Sequence, residues 1–413
     1  MRWLSYATIF SAASGFIVIS LAAWALGAAG ADQFQAYWGL FFALGGCTDG
    51  LMQETTRSIS HAREKGAGAT AAGSGAAGRG RPWRLGGQIA AIAVAIVLLS
   101  AALWMPLMVE SHRLSGTIIM ALGLAGYIFQ AVLSGVLSGL GLWRRYAGLL
   151  ALDAALRLGC ALVAWACGWG LGAFMLITVI GSVAWLAILA LSRDRGEILA
   201  AVADVDARAL RRRALSAMTA TGASAALITG FPVFVQVAQS VHPEPAQATG
   251  VTVAGIILAV TLTRAPILVP LTRFQSALIV RCVENRARIL QTMLAPVGAV
   301  LGVGLVGAVA AWLIGPWILS MLYGEGFLVP GPTLAVLTFA SACTGVLMMS
   351  GAAALAVERH GFYVAGWLSA SLIAFLILLL PTTLTWGVCT ALMVGPLAGA
   401  AVHMAGVRYY PTR

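Results

Sequence analysis

Residues 86–108 read GGQIAAIAVAIVLLSAALWMPLM, a run without one charged side chain. At 1.5 Å per residue such a helix is about 35 Å long, enough to cross the roughly 30 Å hydrocarbon core of a bilayer. Working outward from it, comparable apolar runs fall near 6–27, 35–57, 115–142, 146–168, 170–192, 214–239, 249–272, 290–319, 332–356, 361–380 and 385–406. The composition agrees: 60% of the 413 residues are apolar, mean hydropathy is +0.93 and only 9% are charged, against about 25% in soluble domains. Such a chain cannot cover itself with a solvated surface. That excludes a soluble enzyme, a disordered chain and, despite the net charge of +11, a nucleic-acid-binding domain. The expectation is an all-α integral membrane protein with about 12 transmembrane helices.

The distribution of basic residues predicts the orientation. With the N-terminus inside, the inner loops carry Arg2, Arg63, Lys65, Arg79, Arg81, Arg84, Arg144, Arg145, Arg193, Arg195, Arg208 and Arg211 to Arg213. They continue with Arg273, Arg281, Arg286, Arg288, Arg359, Arg408 and Arg413, while the outer loops carry only Arg113. Adding or removing one helix would scramble this alternation. Trp24, Trp104, Trp169 and Trp317 near outer ends, and Trp3, Trp83 and Trp143 near inner ends, fit an interfacial aromatic belt. Arg2, the first apolar run and Ala28-Ala29-Gly30-Ala31 also fit a signal peptide. A matching helix later in the chain favours a retained span.

That match suggests an internal duplication. Ser14-Gly15-Phe16-Ile17-Val18-Ile19 resembles Thr229-Gly230-Phe231-Pro232-Val233-Phe234, and the same offset places Thr48-Asp49 on Thr263-Arg264. Six helices per half give both halves one orientation, hence two six-helix lobes related by a pseudo-two-fold axis along the membrane normal. The expected division is an N-terminal lobe 1–192, an inter-lobe linker 193–213 on the cytoplasmic side and a C-terminal lobe 214–413. Residues 58–85, rich in Gly and Arg, read as a flexible basic cytoplasmic loop facing anionic headgroups. The linker reads as a short amphipathic helix.

No metal-binding or catalytic constellation stands out. His61, His112, His242, His360 and His403 are far apart, mostly at helix ends, and no P-loop occurs. The six cysteines, five of them inside apolar runs, read as reduced core residues. Short outer loops holding only Asp32, Glu110, Glu244 and Glu325 disfavour a polytopic glycosyltransferase.

Charges inside apolar runs are costly, so each is a functional candidate. In the second helix, Glu54 and Arg57 can pair at i,i+3. Asp49, about 12 Å deeper, has no partner in its helix and reads as a coupling carboxylate or a charge partner for another helix. Asp153 and Arg157 stand at i,i+4 in the fifth helix, either a self-neutralised pair or a pair with Arg157 facing a cavity. Arg264, near mid-depth of the eighth helix, has no acidic residue within four positions and reads as an anion contact. It would face Asp49, or a shared substrate, across the lobes. Pro266 and Pro270 should bend that helix, and Gly230 with Pro232 should break the seventh. Thr48, Thr263, Gln130 and Gln236 could line a hydrated cavity or act as helix–helix glue.

Twelve helices in two similar halves, the stretch Gly45-Gly46-Cys47-Thr48-Asp49-Gly50-Leu51-Met52-Gln53-Glu54-Thr55-Thr56-Arg57, and Tyr323-Gly324-Glu325-Gly326-Phe327 resemble the multidrug/oligosaccharidyl-lipid/polysaccharide (MOP) exporter superfamily. Within it they resemble actinobacterial polysaccharide-biosynthesis flippases. The resemblance implies alternating access around a central cavity. It also implies export of a polyprenyl-(pyro)phosphate-linked sugar or oligosaccharide, with Arg264, Arg157 and Arg57 as anion contacts and Asp49, Glu54 and Asp153 as coupling groups or charge partners. A cation-coupled exporter of drugs or small metabolites from the same superfamily is the alternative, and a scaffold for a glycan-synthesis complex is a third reading. The expected location is a bacterial cytoplasmic membrane with both termini cytoplasmic. The expected partners are the lipid-linked glycan, membrane lipids and glycosyltransferases, with no nucleic acid. The only cofactor implied is a coupling ion, H+ or Na+.

Overall fold

A computed structural model describes residues 2–64, 79–243 and 250–408. Lys65, Glu244, Arg413 and the Gly-rich centre of the expected loop 58–85 lie outside the described residues. The flanks of that loop are not loop: 58–64 continue the preceding helix and 82–85 open the next one. By its contacts the chain divides into two compact units, Met1–Ala225 and Ala226–Arg413.

The first unit begins with α1 (Arg2–Glu64), whose one non-helical residue is Gly27 at φ 62° and ψ −177°. A straight helix of this length would run roughly 95 Å, about three bilayer cores, so α1 is two spans broken at Gly27. Positive φ suits glycine there. Val18, Leu21 and Ala22 before the break and Phe34 after it share one buried cluster with residues of α4 and α5. The first span is thus packed into the fold. Next come α2 (Pro82–Met108), α3 (Arg113–Gly139) and α4 (Trp143–Ala166). The sixth span is α5 (Leu171–Ile180) and α6 (Ala184–Leu191), joined by a 3₁₀ turn at Gly181–Val183.

The linker departs from the sequence expectation. Only α7 (Arg195–Ala200) is helical before α8 (Ala207–Ile228) starts. Between them the chain is extended and bonded to the first unit. Gly80 N donates to Val205 O at 2.7 Å, Ala203 N to Gly80 O at 2.8 Å, and Asp204 N to Ser58 O at 3.2 Å. Trp83 Nε1 donates to Ile198 O at 2.9 Å. Of the apolar residues that suggested an amphipathic helix, Ile198 in α7, Val202 in the extended stretch and Leu210 in α8 are buried, while Leu199 is exposed, so these side chains do not share one face of a single surface helix. Asp206 then accepts from Ala209 N at 2.7 Å and opens α8 as an N-cap does.

Most of α8 packs with the first unit, which ends at Ala225. Glycine is the cause. A Cβ on Gly50 would overlap the backbone of Ala217 and Met218, and one on Gly46 would overlap Ala225. Small residues let membrane helices approach this closely. Gly50 N also donates to Thr221 Oγ1 at 3.2 Å.

The second unit holds the last turn of α8, then α9 (Phe231–Val241), α10 (Val253–Glu284), α11 (Ile289–Tyr323), α12 (Gly331–Ala356), α13 (His360–Leu378) and α14 (Leu384–Arg408). α12 is its buried centre, built on small side chains from Ala340 to Ala354. α11 turns Leu305, Val306 and Leu313 outward, as lipid-facing helices do. Among the described residues ten helices have the length and hydropathy of a span, or eleven when α8 and α9, bent by 58° at their break, count as one. Dividing α1 at Gly27 makes twelve, as the sequence predicts. The protein is a multi-pass α-helical membrane protein.

The cysteines are free. Only Cys282 and Cys343 are core residues; Cys167 is exposed at the end of α4, where the apolar run has already left the packed interior.

Candidate functional site

The charged residues within the spans form separate arrangements in each unit. In the first, Arg157 Nη2 lies 2.8 Å from Asp153 Oδ1. Asp153 is 5% exposed and Arg157 6%. The i,i+4 spacing on α4 makes the pair, and the guanidinium also rests over the Phe42 ring at 4.9 Å. Gly181 makes room for it: a Cβ there would overlap Asp153 Oδ1 and reach 2.7 Å from Arg157 Nε. The 3₁₀ break in the sixth span therefore sits against the buried ion pair. Arg157 Nε has no hydrogen bond among the described residues.

Asp49 differs. It is exposed although it lies within a span, and its carboxylate has no hydrogen bond or ion pair among the described residues. Tyr127 and Tyr146 lie within electrostatic range of it. The Tyr127 ring packs against Phe41 at 5.5 Å and fills the space beside Gly45. An ionised side chain is costly in hydrocarbon, so an accessible unpaired carboxylate at this depth implies a hydrated surface.

Glu54 and Arg57 form the expected pair in bidentate geometry, at 2.8 and 2.7 Å. Arg57 also reaches Asp204 of the extended linker at 3.4 Å. Two carboxylates occupy this guanidinium and tie the C-terminal end of α1 to the linker. Asp204 carried no signal in the sequence, because its role depends on the strap folding back.

In the second unit Arg264 is 6% exposed. Its Nη1 donates to Leu227 O at 3.3 Å and Ile228 O at 3.1 Å, and its guanidinium lies 5.0 Å from the centre of the Phe231 ring. The cause is Pro232. An unbroken helix would pair Ile228 O with the amide of residue 232, and proline has none. The seventh span breaks at Thr229–Gly230, and Arg264 caps the carbonyls this frees at the negative end of α8. Nε and Nη2 remain without a hydrogen bond among the described residues, and no ion pair joins Arg264 to a described carboxylate of its own unit. Pro266 and Pro270 lie inside α10, which continues through both.

Thr48 and Thr263 donate to carbonyls of their own helices, Gly45 O at 2.7 Å and Ala259 O at 2.8 Å. Their hydroxyl protons are therefore already used. Gln236 Oε1 is buried without a hydrogen bond among the described residues. Asp49 belongs to the first unit and Arg264 to the second. Asp49 is accessible and Arg264 is buried. Sequence reading missed the aromatic neighbours Phe42, Tyr127 and Phe231. Their types are common throughout the spans, and only packing singles them out. No group of three or more metal-ligating side chains occurs among the described residues.

No protein-family model matches the chain. It is 36% identical over 405 residues to "Uncharacterized protein Rv1510" of Mycobacterium tuberculosis, covering 98% of this chain and 90% of that protein. It is 36% identical over 401 residues to "Uncharacterized protein Mb3654" of Mycobacterium bovis, covering 97% and 90%. Among solved structures, the inward-facing conformation of a multidrug resistance MATE family transporter of the MOP superfamily matches with a TM-score of 0.73 at 15% identity, over 97% of this chain and 94% of that one. The outward-facing conformation of a MATE family transporter matches with 0.66 at 15% identity, over 98% and 94%. The fold is that of these solved MATE transporters, the fold that the sequence resemblance implies.

Proposed function

The chain belongs to the family of the mycobacterial proteins Rv1510 and Mb3654 and has a MATE-type transporter fold, and on that premise we propose that it exports a polyprenyl-(pyro)phosphate-linked sugar or oligosaccharide by alternating access. It acts as a transporter, not as an enzyme, in a bacterial cytoplasmic membrane with both termini cytoplasmic. Its two lobes work against each other, and its cargo serves cell-envelope polysaccharide synthesis. The observation that carries this reading is the empty Nε–Nη2 edge of Arg264, buried and facing no carboxylate of its own unit. That edge presents two parallel donors, the geometry that matches a phosphate. Arg157 is the second anion contact, released when Asp153 is neutralised. Arg57, Glu54 and Asp204 brace the inner end of the first lobe. Glycosyltransferases and anionic lipids are the expected partners, and H+ or Na+ the coupling ion.

The test is lipid mass spectrometry on cells depleted of the protein, paired with a sidedness assay using an enzyme that cannot cross the membrane. A polyprenyl-linked sugar should accumulate on the inner face. If no lipid-linked sugar accumulates, the flippase reading fails.

One observation favours the alternative of a cation-coupled exporter of small molecules: the accessible, unpaired Asp49 beside Tyr127 and Tyr146. In that case Asp49→Asn should remove ion-driven efflux at least about tenfold while the protein still inserts. Efflux from vesicles under an imposed ion gradient measures it, and unchanged efflux discards Asp49 as the coupling group.

A further inference from the structure

We propose that His403 is a proton-binding site of the second unit, built so that its ring holds one proton or two without repacking. His403 lies in the C-terminal third of α14 and is 0% exposed. Three helices close around it. Nε2 is 2.9 Å from the Tyr363 carbonyl on α13. A carbonyl only accepts, so Nε2 carries a hydrogen. Nδ1 is 2.9 Å from Ser350 Oγ on α12, and the same Oγ is 2.9 Å from the Leu347 carbonyl.

A hydroxyl has one proton and two lone pairs. With a neutral ring, Ser350 donates to Nδ1. With a second proton on the ring, Nδ1–H donates to Ser350 Oγ, and the hydroxyl proton turns to Leu347 O. Each state leaves every buried donor of the group with an acceptor, and one hydroxyl rotation interconverts them. A histidine serving packing alone needs one of these arrangements, not both.

The surrounding slot is shaped to the imidazole. The Tyr363 ring stacks on it at 5.8 Å with the planes 8° apart, and Trp367 meets it edge-on at 6.5 Å. Glycine makes other walls: a Cβ on Gly366 would overlap the ring, and one on Gly351 would come 3.3 Å from Cε1. Tyr363 is the titratable side chain facing the ring from α13. From α12 and α14, no carboxylate or guanidinium among the described residues contacts it. The positive charge is therefore accommodated by oxygen acceptors and an aromatic face, and it can come and go without breaking an ion pair.

The site is separate from Arg264 and Arg157 and names H+ as the ion the second unit takes up. Its use in coupling rests on the exporter reading; the binding itself does not. The experiment is 15N NMR of the full chain in lipid bilayers with labelled histidine, from about pH 5 to about pH 8.5. The His403 resonance is assigned by its loss in His403→Gln. Should that variant not fold, replacing His61, His112, His242 and His360 by glutamine leaves His403 alone. The expected result is an Nε2–H neutral ring at high pH and an imidazolium at low pH, with proton affinity weakened about tenfold in Ser350→Ala. A ring that stays neutral throughout, or one that titrates identically in Ser350→Ala, overturns the proposal. Neither readout depends on glycan export, so a failed flippase assay leaves the result standing.

Discussion

Replacing Arg264 by alanine is expected to stop cargo export, with at least a tenfold fall in outer-face product, while the chain still inserts. Two effects are combined in that substitution. The first is structural: Leu227 O and Ile228 O lose the Nη1 donor at the broken seventh span. Hydrogen bonds to charged groups contribute about 1.5–3 kcal/mol, so the thermal midpoint should fall. The second is the loss of the empty Nε–Nη2 edge, the group assigned to the phosphate. A second variant separates them. Pro232→Ala restores the backbone amide that Ile228 O lacks, so Arg264→Ala with Pro232→Ala should recover stability but not export. Arg264→Lys should recover little, because an ammonium cannot hold the α8 carbonyls and also present a planar fork. The sidedness assay reads export, and thermal unfolding in detergent reads stability. If Arg264→Ala exports normally, the phosphate contact lies elsewhere.

The largest stability effect is expected at Asp153. Asp153→Asn leaves the Arg157 guanidinium buried without its partner at 2.8 Å. Breaking one side of a buried pair costs about 3–5 kcal/mol, a large part of the stability of a folded unit. Yield and unfolding midpoint should both drop sharply. Removing both charges with Asp153→Leu and Arg157→Met should restore most of the loss, because the desolvation cost of the arginine goes with it. A thermal midpoint in Asp153→Asn equal to that of the parent would show that Arg157 finds another counter-charge. If the double variant is stable yet exports nothing, the pair works in transport and does more than brace α4 against Gly181.

The i,i+4 spacing of Asp153 and Arg157 was legible because a helix brings those positions together whatever surrounds it. The same holds for Glu54 and Arg57. What lies around each pair was not legible. Phe42 under one guanidinium and Asp204 beside the other come from distant parts of the chain. The linker shows the limit most clearly. Its apolar residues are spaced as on one helix face, yet backbone bonds to Gly80 and Ser58 hold its centre, Ala203 to Val205, extended between two helices. A short segment with buried side chains takes the backbone partners that tertiary contact offers, and local periodicity cannot report them.

By itself the sequence determined what one-dimensional physics controls. Run length and hydropathy decide how many times the chain crosses a bilayer, and charge asymmetry between loops predicts which way round. Pro232 determined where the seventh span must break, since no fold returns the missing amide. Tertiary structure alone decided who answers that break, namely Arg264 from the next span. It also decided that Asp49 stays accessible while Arg264 is buried, and that His403 sits in a glycine-walled slot beside Ser350. The physical reason is common to all three. Desolvation and hydrogen-bond satisfaction depend on which atoms surround a group in space, and in a chain of similar apolar helices the spacing of residues does not reveal those neighbours.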